Sequence, residues 1–238
     1  RIPLSFFILI DISVGFQWKG VMILKGFEGA YSKEIYKKLK HDILSSQIKD
    51  GDFLTLSELA EKYNVSKTPV RDALGALEIE GYLKSLPRKG YLVKPVTNRS
   101  IRESFQMRLI VEIAAAKIAI KTADDSELMS ILELASNFPE TTAKDSFFSF
   151  NKLNDTFHMA IIKATHNSLF VEIGLGIMEN LSRILMADSH ELEFINEKHE
   201  HIKIAESLVK RDFESTEKLI SQHIFHLQER VCSRQREV

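Results

Sequence analysis

The spacing of apolar residues and of chain-breaking residues changes along the chain and predicts two regions of different architecture. Eight of the ten glycines and four of the five prolines lie before residue 98. Beyond Pro95 the only residues of these two types are Pro139, Gly174 and Gly176. Long helices are therefore expected there rather than a turn-rich β-fold, with the boundary at residues 94–98.

The first region has the pattern of three helices followed by a hairpin. Apolar residues at four-residue spacing predict a helix of about 14 residues after Ser32. Thr55 begins a capping-box pattern for a second helix, Asn64 tolerates the left-handed turn that follows, and Ser66 is expected to cap a third. Two short strands over residues 82–95 then form a two-stranded wing, which completes a winged helix-turn-helix.

The second region is predicted to be an all-α antiparallel bundle of about six helices, because its apolar residues recur with helical spacing. The expected helices cover residues 100–122, 124–138, 144–165, 168–189, 192–210 and 213–230. Gly174 and Gly176 are expected to disturb the fourth of them. The predicted fold class is thus mainly α.

Composition and charge favour a folded, nucleic-acid-binding protein. The chain has 238 residues, 44% of them hydrophobic and 27% charged, which is the mixture of a globular protein. Its net charge of -1 hides an asymmetry, because residues 1–97 are mildly basic and residues 98–238 are acidic. Phosphate contact is therefore expected in the first region. The single cysteine, Cys232, excludes an internal disulfide framework and favours a cytoplasmic location.

Residues 1–21 are expected to be an upstream, non-native or disordered segment, with the DNA-binding domain spanning residues 22–95 and the helical domain residues 98–238. The stretch is apolar but is interrupted by Asp11 and Gly15, so it is a poor membrane span. No membrane partner is expected. A membrane-tethered regulator remains the alternative interpretation.

Basic residues on the third helix and on the wing form a candidate DNA-binding surface. Lys67 and Arg71 are four residues apart, so they share a helix face that can enter a major groove. The candidate contacts are Lys67, Thr68, Arg71, Arg88, Lys89 and Gly90. Arg and Lys can donate to guanine, while Thr68 and the helix N-terminus can bind phosphate. A merely solvated basic face is the simpler alternative.

Three sequence segments in this region resemble the GntR family of transcriptional regulators. They are LTLSELA at residues 54–60, VSKTPVRDAL at 65–74 and LEIEGYL at 77–83. The resemblance implies a homodimer that binds a short palindromic operator in double-stranded DNA. Lys67 stands where the family usually has Arg, and a point-charge donor discriminates bases less well than a guanidinium fork.

A cluster of histidines in the second region suggests a divalent metal site. Asn154 and His158 lie four residues apart on one helix face, and His201 and His223 belong to the last two helices. Three imidazoles and one oxygen donor suit Zn²⁺ or Ni²⁺. Scattered histidines are also common as surface or hydrogen-bonded core groups, so that alternative remains open.

The second region resembles an FCD-type (FadR/VanR-like) ligand-binding domain. The matching segments are LNDTFH at residues 153–158, EH at 200–201 and HI at 223–224. Metal-binding members have an Asp four residues before the first His, whereas this chain has Asn154, which offers a carbonyl oxygen without charge. Asp155 is the alternative donor. The resemblance gives no role to His166, His190, His199 or His226, which are expected to be structural or exposed.

Arg108 matches an arginine that, in this family, faces the ligand cavity and can bind an effector carboxylate as a bidentate fork. Its alternative role is a surface ion pair with Glu112, four residues later. The predicted function is an effector-responsive transcriptional regulator with a small carboxylate effector and a divalent metal in the helical domain. A repressor is expected, and an activator is the alternative. The alternatives are a metal-dependent hydrolase, whose usual motifs the sequence lacks, and an architectural DNA binder without a sensor.

Overall fold

The computed structural model describes residues 30–138, 147–187 and 197–234. Residues 1–21, for which an upstream or non-native segment is expected, lie outside the described residues, as does His190. Within the described ranges the protein is mostly helical with one small antiparallel sheet, which confirms the predicted fold class. No helix in these ranges is long and apolar enough to cross a membrane.

The described residues form two compact units, which we call the head and the body. The head comprises residues 30–41 and 51–94, and the body comprises residues 42–50, 95–138, 147–187 and 197–234. The elements that begin before residue 95 are α1 (Ala30–Leu44), β1 (Phe53–Leu54), α2 (Leu56–Tyr63), α3 (Lys67–Ile79), β2 (Leu83–Leu86) and β3 (Gly90–Val93).

Local signals place the two helices of the helix-turn-helix. The Thr55 side chain accepts a hydrogen bond from the amide of Glu58 and so caps α2. Asn64 ends α2 with left-handed backbone angles of φ 52° and ψ 50°. Ser66 precedes α3 as expected, but its side chain makes no capping hydrogen bond. One of the two amides that such a cap can bind is missing, because residue 69 is proline.

The predicted hairpin is present as β2 and β3, and a third strand that the sequence analysis did not predict joins it. Strand β3 lies between β1 and β2, and both pairings are antiparallel. The third strand, Phe53–Leu54, is only two residues long, so it has no alternation of apolar and polar residues from which it could be predicted. Gly90 has φ +109°, and a Cβ there would lie 2.5 Å from the carbonyl oxygen of Leu54. This close approach of β1 requires a glycine.

The body consists of six helices within the described residues. They are α4 (Asn98–Thr122), α5 (Asp125–Ser136), α6 (Phe147–Lys163), α7 (Ser168–Ala187), α8 (Glu197–Val209) and α9 (Phe213–Arg234). Capping boxes start α4 at Thr97 with Ser100 and start α5 at Asp124 with Glu127. Asp212 caps α9 by accepting a hydrogen bond from the amide of Ser215.

Helix α4 is the central element of the body, where it packs against α6, α7, α8 and α9. Helix α7 is continuous, so the predicted disturbance near its glycines is wrong. A Cβ on Gly174 would lie 2.7 Å from Ile162 Cδ1, whereas one on Gly176 would meet no atom within 4 Å. Gly174 allows α7 to pack closely on α6, and burial of the apolar face of α7 outweighs the cost of about 1 kcal/mol for a helical glycine.

Candidate metal centre and nucleic-acid interface

Three buried histidines meet in the interior of the body. His158 lies on α6, His201 on α8 and His223 on α9, and all three are fully or almost fully buried. One ring nitrogen from each lies within 4.8 Å of those of the other two. The structure therefore brings together the three histidines that the sequence singled out from widely separated positions.

The hydrogen bonds of two of these histidines define which nitrogen is available to a ligand. His158 Nδ1 lies 2.9 Å from Glu112 Oε2, and His223 Nδ1 lies 2.7 Å from Glu200 Oε2. Since a carboxylate accepts, both Nδ1 atoms donate, and in the neutral ring the Nε2 atom is then left as an acceptor. These two Nε2 atoms are 3.2 Å apart. Two nitrogens bound to one tetrahedral zinc ion at its usual bond length are separated by about 3.3 Å.

His201 is the member of the cluster whose ring nitrogens have no hydrogen-bond partner among the described residues. Its ring stacks on Phe157, with centroids 4.2 Å apart, and meets Phe138 edge-on. Leaving such buried polar atoms unpaired costs about 1–3 kcal/mol each. A nitrogen lone pair that faces a bound ion would remove this cost, so the donor set fits a metal ion.

Each histidine has a glutamate beside it, which the sequence analysis missed. Glu112 and Glu200 bind the Nδ1 atoms of His158 and His223, and Glu197 lies one helical turn before His201, with Oε2 3.9 Å from His201 Nε2. Glu197 Oε1 accepts a hydrogen bond from Arg230. Carboxylates behind metal-binding histidines orient the rings and make them better ligands. The four-residue spacing of Glu197 and His201 was the available signal.

Burial keeps His158 and His201 neutral, which is the form that binds metals. Burial, followed by the charge of Arg108, lowers the pKa of His158 to about 3. Burial also lowers the pKa of His201 well below its usual range. Burial opposes the charged form of Glu112, but His158 and Arg108 outweigh it and lower the pKa of that carboxyl group. Glu112 is therefore an anion inside the body.

Arg108 points into this cluster instead of lying on the surface. Its Nε donates to Glu112 Oε1 over 2.6 Å, and both side chains are 1% exposed. Its Nη2 lies 2.5 Å from His158 Nε2 and 3.5 Å from His223 Nε2. The expected pairing with Glu112 is thus present, but it is buried, which corrects the surface alternative.

Asn154, the oxygen donor expected beside the histidines, lies on α6. Asn154 is buried one turn before His158, and its side chain hydrogen bonds to Asp155. Asp155 also accepts a hydrogen bond of 2.6 Å from the hydroxyl of Ser182 on α7, and burial raises the pKa of Asp155 to about 6. Asp155 is thus engaged by α7 and by its neighbour.

Of the remaining histidines in the body, three are described and all are exposed. His166 pairs with Glu127, and His226 hydrogen bonds to Glu200 Oε1 over 2.9 Å. His226 and His223 therefore bind opposite oxygens of one carboxylate. Together these contacts lower the pKa of Glu200 to about 2, against the effect of its burial.

The candidate DNA-binding residues lie at one end of α3 and at the tip of the wing. Lys67, Thr68 and Arg71 are exposed, on the opposite side of α3 from its buried residues. The buried residues are Val70, Ala73, Leu74, Ala76 and Leu77. Arg88 and Lys89 are exposed between β2 and β3, directly before Gly90. The head thus presents a cationic helix start and a cationic loop to solvent.

A hydrogen bond joins the wing to α3. Glu78 near the end of α3 accepts a hydrogen bond of 2.7 Å from the amide of Ser85 on β2. Hydrogen bonds from the side chain and the backbone amide of Ser85 lower the pKa of Glu78. These bonds fix strand β2, and with it the loop that carries Arg88, relative to α3.

Comparison with known proteins finds two families along the chain. Residues 31–93 match the model for bacterial regulatory proteins of the gntR family, and residues 103–226 match the model for the FCD domain. The HTH-type transcriptional regulator YdhC of Bacillus subtilis is 27% identical over 201 residues, covering 82% of this chain and 88% of that protein. The HTH-type transcriptional repressor RspR of Escherichia coli is 24% identical and covers 84% and 88%.

Solved structures share the fold. The E. coli protein McbR/YncC superposes with a TM-score of 0.70 at 18% identity, covering 87% of this chain and 99% of that one. A GntR transcriptional regulator from Rhodococcus sp. RHA1 superposes with a TM-score of 0.68 at 17% identity, covering 86% and 99%. At these identities the likeness concerns the fold.

Proposed function

This chain belongs to the gntR family of bacterial regulatory proteins and carries an FCD domain, and from that premise we propose that it is a metal-dependent, carboxylate-responsive repressor. That it is a transcriptional regulator follows from the two families. The hydrolase considered from the sequence is not favoured, because the families are regulators rather than enzymes. Repression is supported by one relative, RspR, which is named a repressor.

In this proposal, the head binds operator DNA through α3 and the wing. Lys67, Thr68 and Arg71 enter the major groove, and Arg88, Lys89 and Gly90 contact the flanking backbone or minor groove. The exposure of Lys67, Thr68 and Arg71 at the start of α3, and of Arg88 and Lys89 at the wing tip, supports this role. A palindromic operator requires two heads, and exposed Met107 (45%) and Ile110 (61%) on one face of α4 support a homodimer.

The groove assignment is tested by operator titration at fixed salt, with DNA selected by the protein from a random-sequence pool. Arg71→Ala should weaken binding by about 1–3 kcal/mol and change the base preference. Arg102→Ala is the matched control, since it removes the same charge from an exposed position on α4. Equal affinities for wild type and Arg71→Ala would refute the assignment.

The body is proposed to hold a divalent metal ion, Zn²⁺ or Ni²⁺, through His158, His201, His223 and the carbonyl oxygen of Asn154. The observation that carries this proposal is the convergence of three buried imidazoles, two of which have their Nδ1 atoms bound to carboxylates. Once bound, the ion supplies a positive centre to which an anionic ligand can coordinate. Arg108 then offers the guanidinium that binds the carboxylate of the effector.

Elemental analysis of purified protein tests the metal site. One zinc or nickel ion per chain is expected in wild type, and none in His201→Ala. His199→Ala, an exposed histidine on the same helix, should retain the ion. A thermal-shift screen of small carboxylates, with and without chelator, then tests the effector, because a ligand that binds only the folded state stabilises it. Equal metal content in all three proteins would contradict the site.

A further inference from the structure

We propose that the guanidinium of Arg108 and a divalent metal ion compete for the histidine cluster, and that a carboxylate ligand relieves this competition by drawing Arg108 away. The inference rests on the proposed metal and carboxylate function and concerns how the two ligands influence each other. It predicts that each ligand strengthens the binding of the other.

The competition follows from the position of Arg108 Nη2. This atom lies 2.5 Å from His158 Nε2 and 3.5 Å from His223 Nε2, and both of those nitrogens are acceptors because their Nδ1 atoms donate to carboxylates. The guanidinium therefore receives the lone pairs that a metal would use. An ion bonded to both Nε2 atoms at the usual zinc–nitrogen length would lie within about 4 Å of Nη2.

Arg108 cannot yield this place by losing its proton. A guanidinium remains charged at any pH at which proteins fold. Two cations this close in a buried site repel each other strongly, because the surroundings screen their charges poorly. Metal binding therefore requires the guanidinium of Arg108 to move away from His158.

Glu112 and an incoming carboxylate determine the position of the Arg108 guanidinium. Arg108 Nε donates to Glu112 Oε1, and the guanidinium is rigid and planar, so the end formed by its two Nη nitrogens can leave His158 only if the whole group rotates and its bond to Glu112 is rearranged. A ligand carboxylate that binds this end must take Nη2 away from His158 Nε2. The same movement clears both Nε2 lone pairs. By linkage, an anion that raises the affinity for metal must have its own affinity raised by the metal to the same extent.

The test is a zinc titration of chelator-stripped, full-length protein against a competing chromophoric chelator, with sodium acetate or with an equal concentration of sodium chloride. Acetate is expected to raise the zinc affinity of wild type at least ten-fold. Arg108→Gln, which keeps a donor for Glu112 but removes the charge, should bind zinc at least ten-fold more tightly than wild type in chloride and should lose most of the acetate effect. Arg108→Lys, which keeps the charge, should resemble wild type in chloride.

Arg99→Gln is the matched control, because it removes an exposed arginine from the same helix and should leave both affinities unchanged. If Arg108→Gln fails to fold, as judged by circular dichroism, the acetate response of wild type and the weak zinc binding of Arg108→Lys decide the question. Equal zinc affinity for wild type and Arg108→Gln, with no acetate effect, overturns the competition and leaves the metal site standing. Zinc binding by none of the proteins overturns both proposals.

Discussion

Two arginine–glutamate pairs on α4 have the same spacing and opposite environments, which allows the energetic role of burial to be measured. Arg108 and Glu112 are joined over 2.6 Å and are both 1% exposed. Arg99 and Glu103 are joined over 2.7 Å and are 82% and 58% exposed. Both pairs are four residues apart on one helix, so they differ mainly in solvent access.

We expect Arg108→Met to lower the free energy of unfolding by about 3–5 kcal/mol. Glu112 has two partners, Arg108 and His158, and the substitution leaves its buried charge with His158 alone. Arg99→Met removes a solvated pair and should leave the stability unchanged within error. In Arg108→Met/Glu112→Leu both charges are absent, so most of the lost stability should return.

The assay is urea unfolding of chelator-treated protein, followed by far-ultraviolet circular dichroism, with the denaturant slope compared between variants. If the slope is the same in all variants, a change in the midpoint reports a change in the free energy of unfolding. Similar midpoints for Arg108→Met and Arg99→Met would refute the conclusion that Glu112 is a buried anion held by Arg108.

Five further substitutions, in three groups, test other parts of the structure. Gly90→Ala should destabilise the head and abolish operator binding, because its Cβ would lie 2.5 Å from a backbone oxygen of β1. Gly75→Ala, in open space on α3, should instead raise the free energy of unfolding by about 0.5–1 kcal/mol. Stabilities of the two variants that change in the same direction would contradict this. Gly174→Ala should lower the melting temperature and Gly176→Ala should raise it slightly, and the reverse order would show that α6 and α7 do not pack closely at Gly174. Asn154→Asp, which restores an anionic donor, should increase zinc affinity about ten-fold in a chelator competition, and no gain would remove residue 154 from the ligand set.

Much of the secondary structure could be predicted because its signals are local. The pairing of Asp124 with Glu127 starts α5, and Thr55 starts α2, through hydrogen bonds between residues three apart. Strand β1 was missed because two residues show no periodicity. The disturbance of α7 was wrongly expected at Gly174, because a glycine at a close helix contact has the same appearance in sequence as a helix breaker.

The candidate site was predicted less completely because its members meet only through tertiary packing. The histidines could be chosen by type and by family resemblance, whereas among the glutamates behind them only Glu197, four residues before His201, had a local signal. Glu112 follows Arg108 by four residues, a spacing that is the same for a surface pair and a buried one. Only the packing of α4 against α6, α8 and α9 places this pair beside His158.

The most direct test of the account is the affinity of the protein for its selected operator, measured at one salt concentration with and without zinc and a small carboxylate that gives a thermal shift. We predict that the two ligands together change the operator affinity of wild type by about 5- to 150-fold, the range that couplings of 1–3 kcal/mol produce. His201→Ala should bind the operator equally well with and without them. An unchanged operator affinity in wild type that binds both ligands would contradict the claim that the buried cluster controls DNA binding.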